Sequence, residues 1–183
     1  MVKQLLHGFK LLAGGLRSMC ATRNDTVLVV IDMQPRFLPD RGDTSSPEAM
    51  RALAGVAREI VRARRRGMPI VLVEYRRYAP THPYLMKLLT EPHYGRHRVV
   101  RKGQMDGSKA VLFACRAMGL GRPRRFRVCG TYTHYCVEET VLGLSRKRPQ
   151  DVVEVVTSAC TDPSGNRWFA FIPACTGANV SLV

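Results

Sequence analysis

Val27-Leu28-Val29-Val30-Ile31 constrains the fold of this chain more than any other stretch. An alternating strand keeps one wet face, but this run of β-branched and aliphatic residues offers none. It predicts a central parallel strand covered on both sides by helices. Asp32 follows directly, then Met33, Gln34 and Pro35. A carboxylate at the C-terminal edge of such a strand stands where open α/β sheets carry their ligand chemistry. Apolar surroundings would push its pKa upward.

The pattern then recurs. Pro47-Glu48 opens a helix with Met50, Leu53, Ala54, Ala57, Ile60 and Val61 as its expected core face, and Gly67 stops it. Met68 to Tyr75 is a second buried strand, which completes a right-handed strand–helix–strand unit. Arg98 to Arg101 reads as a short strand ended by Lys102-Gly103. Asp106-Gly107-Ser108 then caps a helix from about Lys109 to Met118, closed by Gly119. Arg125 to Cys129 is another strand, halted at Gly130, and Val137, Val141 and Leu144 mark the helix after it. Asp151 to Val156 is a further strand. The expected fold is therefore α/β, a three-layer sandwich with a mostly parallel central sheet flanked by helices in a Rossmann-like topology. At 183 residues one domain is expected, over 26–183. Residues 1–25 form a basic amphipathic extension, with Leu5, Phe9, Leu12, Leu16 and Met19 on one helical face. The run Trp168 to Ile172 completes no clear helix.

The formal charge of +15 raises nucleic acid as a partner. The basic clusters at 62–66, 122–125 and 146–148 fall in loops or at helix C-termini, however, where cations complement the dipole or lie in water. Nucleic-acid binding is thus a secondary expectation. The six cysteines form no C-x-x-C pair, which points to reduced thiols and a cytoplasmic location. No apolar run nears the ~20 residues a membrane span requires. Residues 76–97 are rich in proline and read as a substrate-binding loop. Its His82, His93 and His97 lack ligand spacing and are expected to be solvent-exposed, so no metal and no cofactor are expected. A dinucleotide-binding protein is excluded, because no G-x-G-x-x-G follows the first strand.

Cys136 falls in the first turn of the helix after Gly130. Free N–H groups and the macrodipole there would lower a thiol pKa and could hold an oxyanion. Lys102 also sits at a strand end. Asp32, Lys102 and Cys136 therefore converge on one sheet edge as a carboxylate, a cation and a nucleophile.

Three motifs carry a resemblance: Val-Leu-Val-Val-Ile-Asp32-Met-Gln, Val-Val-Arg-Lys102-Gly, and Cys-Gly130-Thr-Tyr-Thr-His-Tyr-Cys136-Val-Glu-Glu-Thr. Over about residues 26–162 the chain resembles the isochorismatase-like cysteine hydrolases. The resemblance implies an Asp32–Lys102–Cys136 triad that cleaves a C–N bond of a small amide, ureide or carbamoyl substrate through a covalent acyl-enzyme. It implies a cis peptide between Thr131 and Tyr132, and an oxyanion hole made by the backbone N–H groups of Tyr132 and Cys136. Gln34, Phe37, Tyr75 and Tyr135 are the expected pocket residues, and a homo-oligomer is the expected assembly. The nicotinamidase branch carries D-x-H after the second strand, where this chain reads Glu74-Tyr75-Arg76-Arg77-Tyr78, so the resemblance is to a metal-independent member. The alternative is a family member that has lost catalysis and binds a partner, such as nucleic acid, through its basic surface.

Overall fold

A computed structural model of the protein describes residues 25–45, 47–162 and 179–183. The 1–24 part of the N-terminal extension and the Trp168–Ile172 run lie outside the described residues. Six strands form one sheet: β1 Thr26–Ile31, β2 Ile70–Tyr75, β3 His97–Lys102, β4 Arg125–Thr131, β5 Val152–Thr161 and β6 Val180–Leu182. Their order is β3-β2-β1-β4-β5-β6, and every pairing is parallel. The helices are α1 Pro47–Arg65, α2 Pro83–Thr90, α3 Ser108–Ala117 and α4 Glu138–Lys147. α1 packs on β1, β4 and β5, α3 on β2 and β3, and α4 on β5 and α3.

β1 sits at the centre, and Val27 to Ile31 are at most 1% exposed. Each such side chain contributes roughly 1.5–3 kcal/mol of hydrophobic stabilisation, which explains why a run without polar positions takes this place. The register aligns Ile31 with Val73 on one side and Gly130 on the other, while Tyr75 aligns with Lys102. The residues that follow these strands are thereby delivered to one edge.

Several elements differ from the sequence expectation. The buried face of α1 is Ala49, Ala52, Leu53, Val56, Ala57, Ile60 and Ala63. Met50 is 46% exposed, and Ala54 and Val61 are half-buried. The apolar stripe of α1 is wider than the sheet can cover, so its periodicity alone could not choose the inner edge. Arg127 explains part of the packing: it donates to both Glu59 carboxylate oxygens of α1 and to Glu154 of β5. Of the histidines expected to be exposed, only His93 is. His82 Nδ1 accepts the Tyr84 N–H at the start of α2, and His97 begins β3 with Nδ1 2.5 Å from the Tyr94 carbonyl. β5 runs on to Thr161, past the expected end at Val156, through a register shift opposite Val128 and Gly130. β6 is an added edge strand. Asn179 anchors its start by donating to the carbonyls of Arg148 and Asp151.

Gly130 is required where β4 passes β1. Its φ is 128°, and a Cβ built there would lie 2.1 Å from the Ile31 carbonyl oxygen. Gly130→Ala must separate the two central strands or abandon this backbone conformation. We expect it to destabilise the protein by roughly 3 kcal/mol or more, read as a lowered urea midpoint; an unchanged midpoint would refute this account of the β1–β4 contact.

Candidate active site

Asp32 leaves β1 in the left-handed region, with φ 48°, and is fully buried. Its own N–H donates to the Val73 carbonyl, and the Gln34 N–H folds back to the Asp32 carbonyl at 2.7 Å. Among the described residues, no backbone N–H reaches the carboxylate oxygens. Lys102, the last residue of β3, brings Nζ to 2.8 Å from Asp32 Oδ2, and the two side chains are 2% and 0% exposed. The same ammonium donates to the Met105 carbonyl at 2.8 Å and lies 5.6 Å from the Tyr75 ring centroid. An ion pair this deeply buried requires both members, since losing one leaves an uncompensated charge.

Cys136 comes from the strand–helix connection after β4. The Thr131–Tyr132 peptide is cis, and Thr133–Val137 form one π-turn before α4, with the Val137 N–H donating to the Tyr132 carbonyl at 3.0 Å. Cys136 is 6% exposed, and its thiol faces the Asp32 carboxyl that Lys102 holds.

The electrostatics correct one sequence expectation. Burial, and then the Asp32 carboxylate, push the Cys136 thiol up to about 11, against the pull of Lys102. The effect expected of the helix start is outweighed because the thiol is desolvated and faces an anion. Burial also raises the Asp32 pKa, while Lys102 and the thiol hydrogen bond oppose the rise. The site resists holding two anions, so an ionised carboxyl disfavours the thiolate and a thiolate disfavours the ionised carboxyl.

Above Cys136 opens a cleft of about 570 Å³ whose aromatic wall is Phe37, Tyr75, Tyr78, Tyr132 and Tyr135. Phe37 meets three of these rings edge to face, with centroids 4.8 Å from Tyr78, 5.7 Å from Tyr132 and 6.1 Å from Tyr75. Arg77, Met105 and Asp162 complete the lining. Of the pocket residues expected from the sequence, Phe37, Tyr75 and Tyr135 line this cleft and Gln34 does not. It is fully buried, accepts the Tyr75 N–H at 2.7 Å, and donates to the carbonyls of Tyr75 and Ala79. Glu74 acts similarly, accepting the Thr81 N–H and hydroxyl at 2.8 and 3.0 Å. Together they fasten the segment that carries Arg77 and Tyr78 over the edge. The reading also missed Asp162, whose position just past β5 repeats the strand-end signal of Asp32. The Met105 carbonyl had no signal, since a backbone acceptor leaves none in the sequence. Among the described residues, no group of three His, Cys, Asp or Glu side chains is gathered as a metal site.

The Isochorismatase domain family matches residues 26–181, and the chain belongs to that family. N-carbamoylsarcosine amidase from Thermoplasma acidophilum shares the fold at TM-score 0.64 and 19% identity, over 86% of this chain and 96% of that one. Pyrazinamidase/nicotinamidase from Streptococcus mutans superposes at TM-score 0.68 and 16% identity, over 86% and 99%. The MAR1 ribonuclease of Caenorhabditis elegans does so at 0.65 and 18%, over 88% and 78%. Comparison with curated protein sequences gives no match.

Because the Asp32 charge helps hold the thiol up, Asp32→Asn should lower the midpoint of Cys136 alkylation below about 11. Peptide-resolved mass spectrometry of iodoacetamide labelling against pH measures it. An unchanged or higher midpoint would mean that burial alone sets the thiol.

Proposed function

We propose that the protein is a cysteine hydrolase that cleaves the C–N bond of a small amide, ureide or carbamoyl compound, with Asp32, Lys102 and Cys136 as its triad. The observation that carries this reading is a thiol and an ammonium set against one buried carboxyl beneath a solvent-reachable cleft. Membership of the family and the amidases that share its fold support it.

In this mechanism Cys136 Sγ bonds to the substrate carbonyl carbon while Asp32 takes the thiol proton. The backbone N–H groups of Tyr132 and Cys136 receive the oxyanion. As the C–N bond breaks, Asp32 returns the proton to the leaving nitrogen, and ammonia or an amine departs. Water then attacks the thioester, giving its proton to Asp32, and Cys136 leaves as the thiol after that proton passes to sulfur. Lys102 keeps the carboxyl oriented and offsets its charge, so the base need not be exposed to be ionised. A thiol held at about 11 suits this route, because it is deprotonated only as it attacks. Assembly as a homo-oligomer and a cytoplasmic location belong to the same reading.

A second reading draws on the charge of +15 and on exposed Arg58, Arg65 and Arg66, which have no ion pair among the described residues. It is a family member that has lost turnover and binds an acidic partner such as nucleic acid. Ammonia release from a panel of amides, ureides and carbamoyl compounds separates the two. The first reading expects release that falls at least about a thousandfold in Cys136→Ala. Absence of release from every compound, with retention of labelled RNA, would favour the second.

The pH profile adds a further check. The competent form has Asp32 ionised and the thiol protonated. The kcat/KM should therefore rise with pH through a midpoint above 3.8, where an ordinary aspartate titrates, and fall again near 11. A rate that simply follows ordinary thiolate formation, with no acid limb from a carboxyl, would contradict Asp32 as the base.

A further inference from the structure

The lining of the cleft contains two formal charges, Arg77 and Asp162. Asp162 is 6% exposed and accepts the His134 backbone N–H at 3.4 Å. Arg77 is exposed and, among the described residues, has no hydrogen bond or ion pair. Lys102, below, is committed to Asp32 and to the Met105 carbonyl. Arg77 is therefore a cation at the mouth of an aromatic cleft with no partner among the described residues, and Asp162, the acid of the same lining, is buried. The Arg77 backbone is not free to wander, because Gln34 bonds Tyr75 and Ala79 on either side of it and Glu74 bonds Thr81.

The geometry points to a substrate with a flat, apolar body between the rings and a carboxylate at the end away from the scissile bond, held by Arg77. Edge-to-face rings leave faces on which a planar group stacks. A guanidinium recognises a carboxylate through two parallel N–H donors, which a lone ammonium cannot do. Aromatic faces also attract cations. Here Arg77 is exposed in the lining and the whole chain carries +15, whereas Asp162, which outweighs Arg36 at the Tyr132 hydroxyl, is only 6% exposed. The exposed Arg77 and the charge of the chain repel a cationic ligand at the mouth and draw an anionic one toward it. The inference relies on the hydrolase reading for the position of the scissile bond, but not for binding.

The test uses matched pairs of aryl amides and ureides, identical except for a distal carboxylate or its neutral methyl ester. Turnover is measured with the wild type, Arg77→Gln and Arg77→Lys, and binding to Cys136→Ala with and without Arg77→Gln by calorimetry. Arg77 is exposed, so its variants should fold. We expect kcat/KM about 10- to 100-fold higher for the carboxylate member in the wild type. The preference should vanish in Arg77→Gln, survive in part in Arg77→Lys, and shrink as salt is raised. Equal turnover of both members, or an equal loss on both in Arg77→Gln, would overturn the carboxylate assignment and leave the hydrolase intact. No turnover of any compound, together with carboxylate binding that depends on Arg77, would overturn the hydrolase and leave this assignment standing. Binding of neither member, or equal binding of both, would overturn the assignment.

Discussion

The contact on which the site depends is the 2.8 Å ion pair between Asp32 and Lys102. Both side chains are cut off from water, and each would be costly to bury alone. The sheet makes the pair possible. β1 is apolar from Val27 to Ile31, so the next polar residue, Asp32, falls at its C-terminal edge. β3 runs parallel two strands away and ends level with Tyr75, and its last residue reaches back under the Tyr75 ring. With the pair in place, Cys136 meets an anion that is buried but balanced. Burial raises both pKa values, the facing carboxylate adds to the rise at the thiol, and the carboxyl is near enough to accept the thiol proton.

A second layer of residues gives the site its shape. Gln34 and Glu74 spend their side chains on the backbone of the segment after β2. They look like active-site groups in sequence, polar residues at or near strand ends, yet both fasten a loop, and Glu74 also pairs with Arg101 of β3 at 3.7 Å. What the loop presents is Arg77 and Tyr78, which join Phe37 from the β1 edge and the tyrosines around Cys136. In the proposed mechanism, reactivity and selectivity would thus come from different elements that share one edge.

Much of this was legible in the chain. Val27–Ile31 had no wet face, which pointed to a central strand, and Asp32, Lys102 and Cys136 each followed a strand-like run, which pointed to convergence on one edge. The rest was hidden for specific reasons. The direction of the Cys136 shift depends on how far burial and a facing carboxylate outweigh a helix start, and distance is absent from sequence. Gln34 looked like a pocket residue because its partners are backbone groups far along the chain. The inner face of α1 was blurred by an apolar stripe wider than the helix–sheet contact. β6 is three residues long and owes its place to Asn179 and the edge of β5, not to any pattern of its own.

The central claim is that Asp32 is a buried carboxyl whose reluctance to ionise is held in check by Lys102. Titration of the Asp32 side-chain carbon by NMR, in the wild type and in Lys102→Met, tests it most directly. The account predicts a wild-type midpoint above the ordinary 3.8, moving further upward when the cation is removed, because Lys102 opposes the desolvation. A wild-type midpoint at or below 3.8, or one that stays put in Lys102→Met, would contradict it.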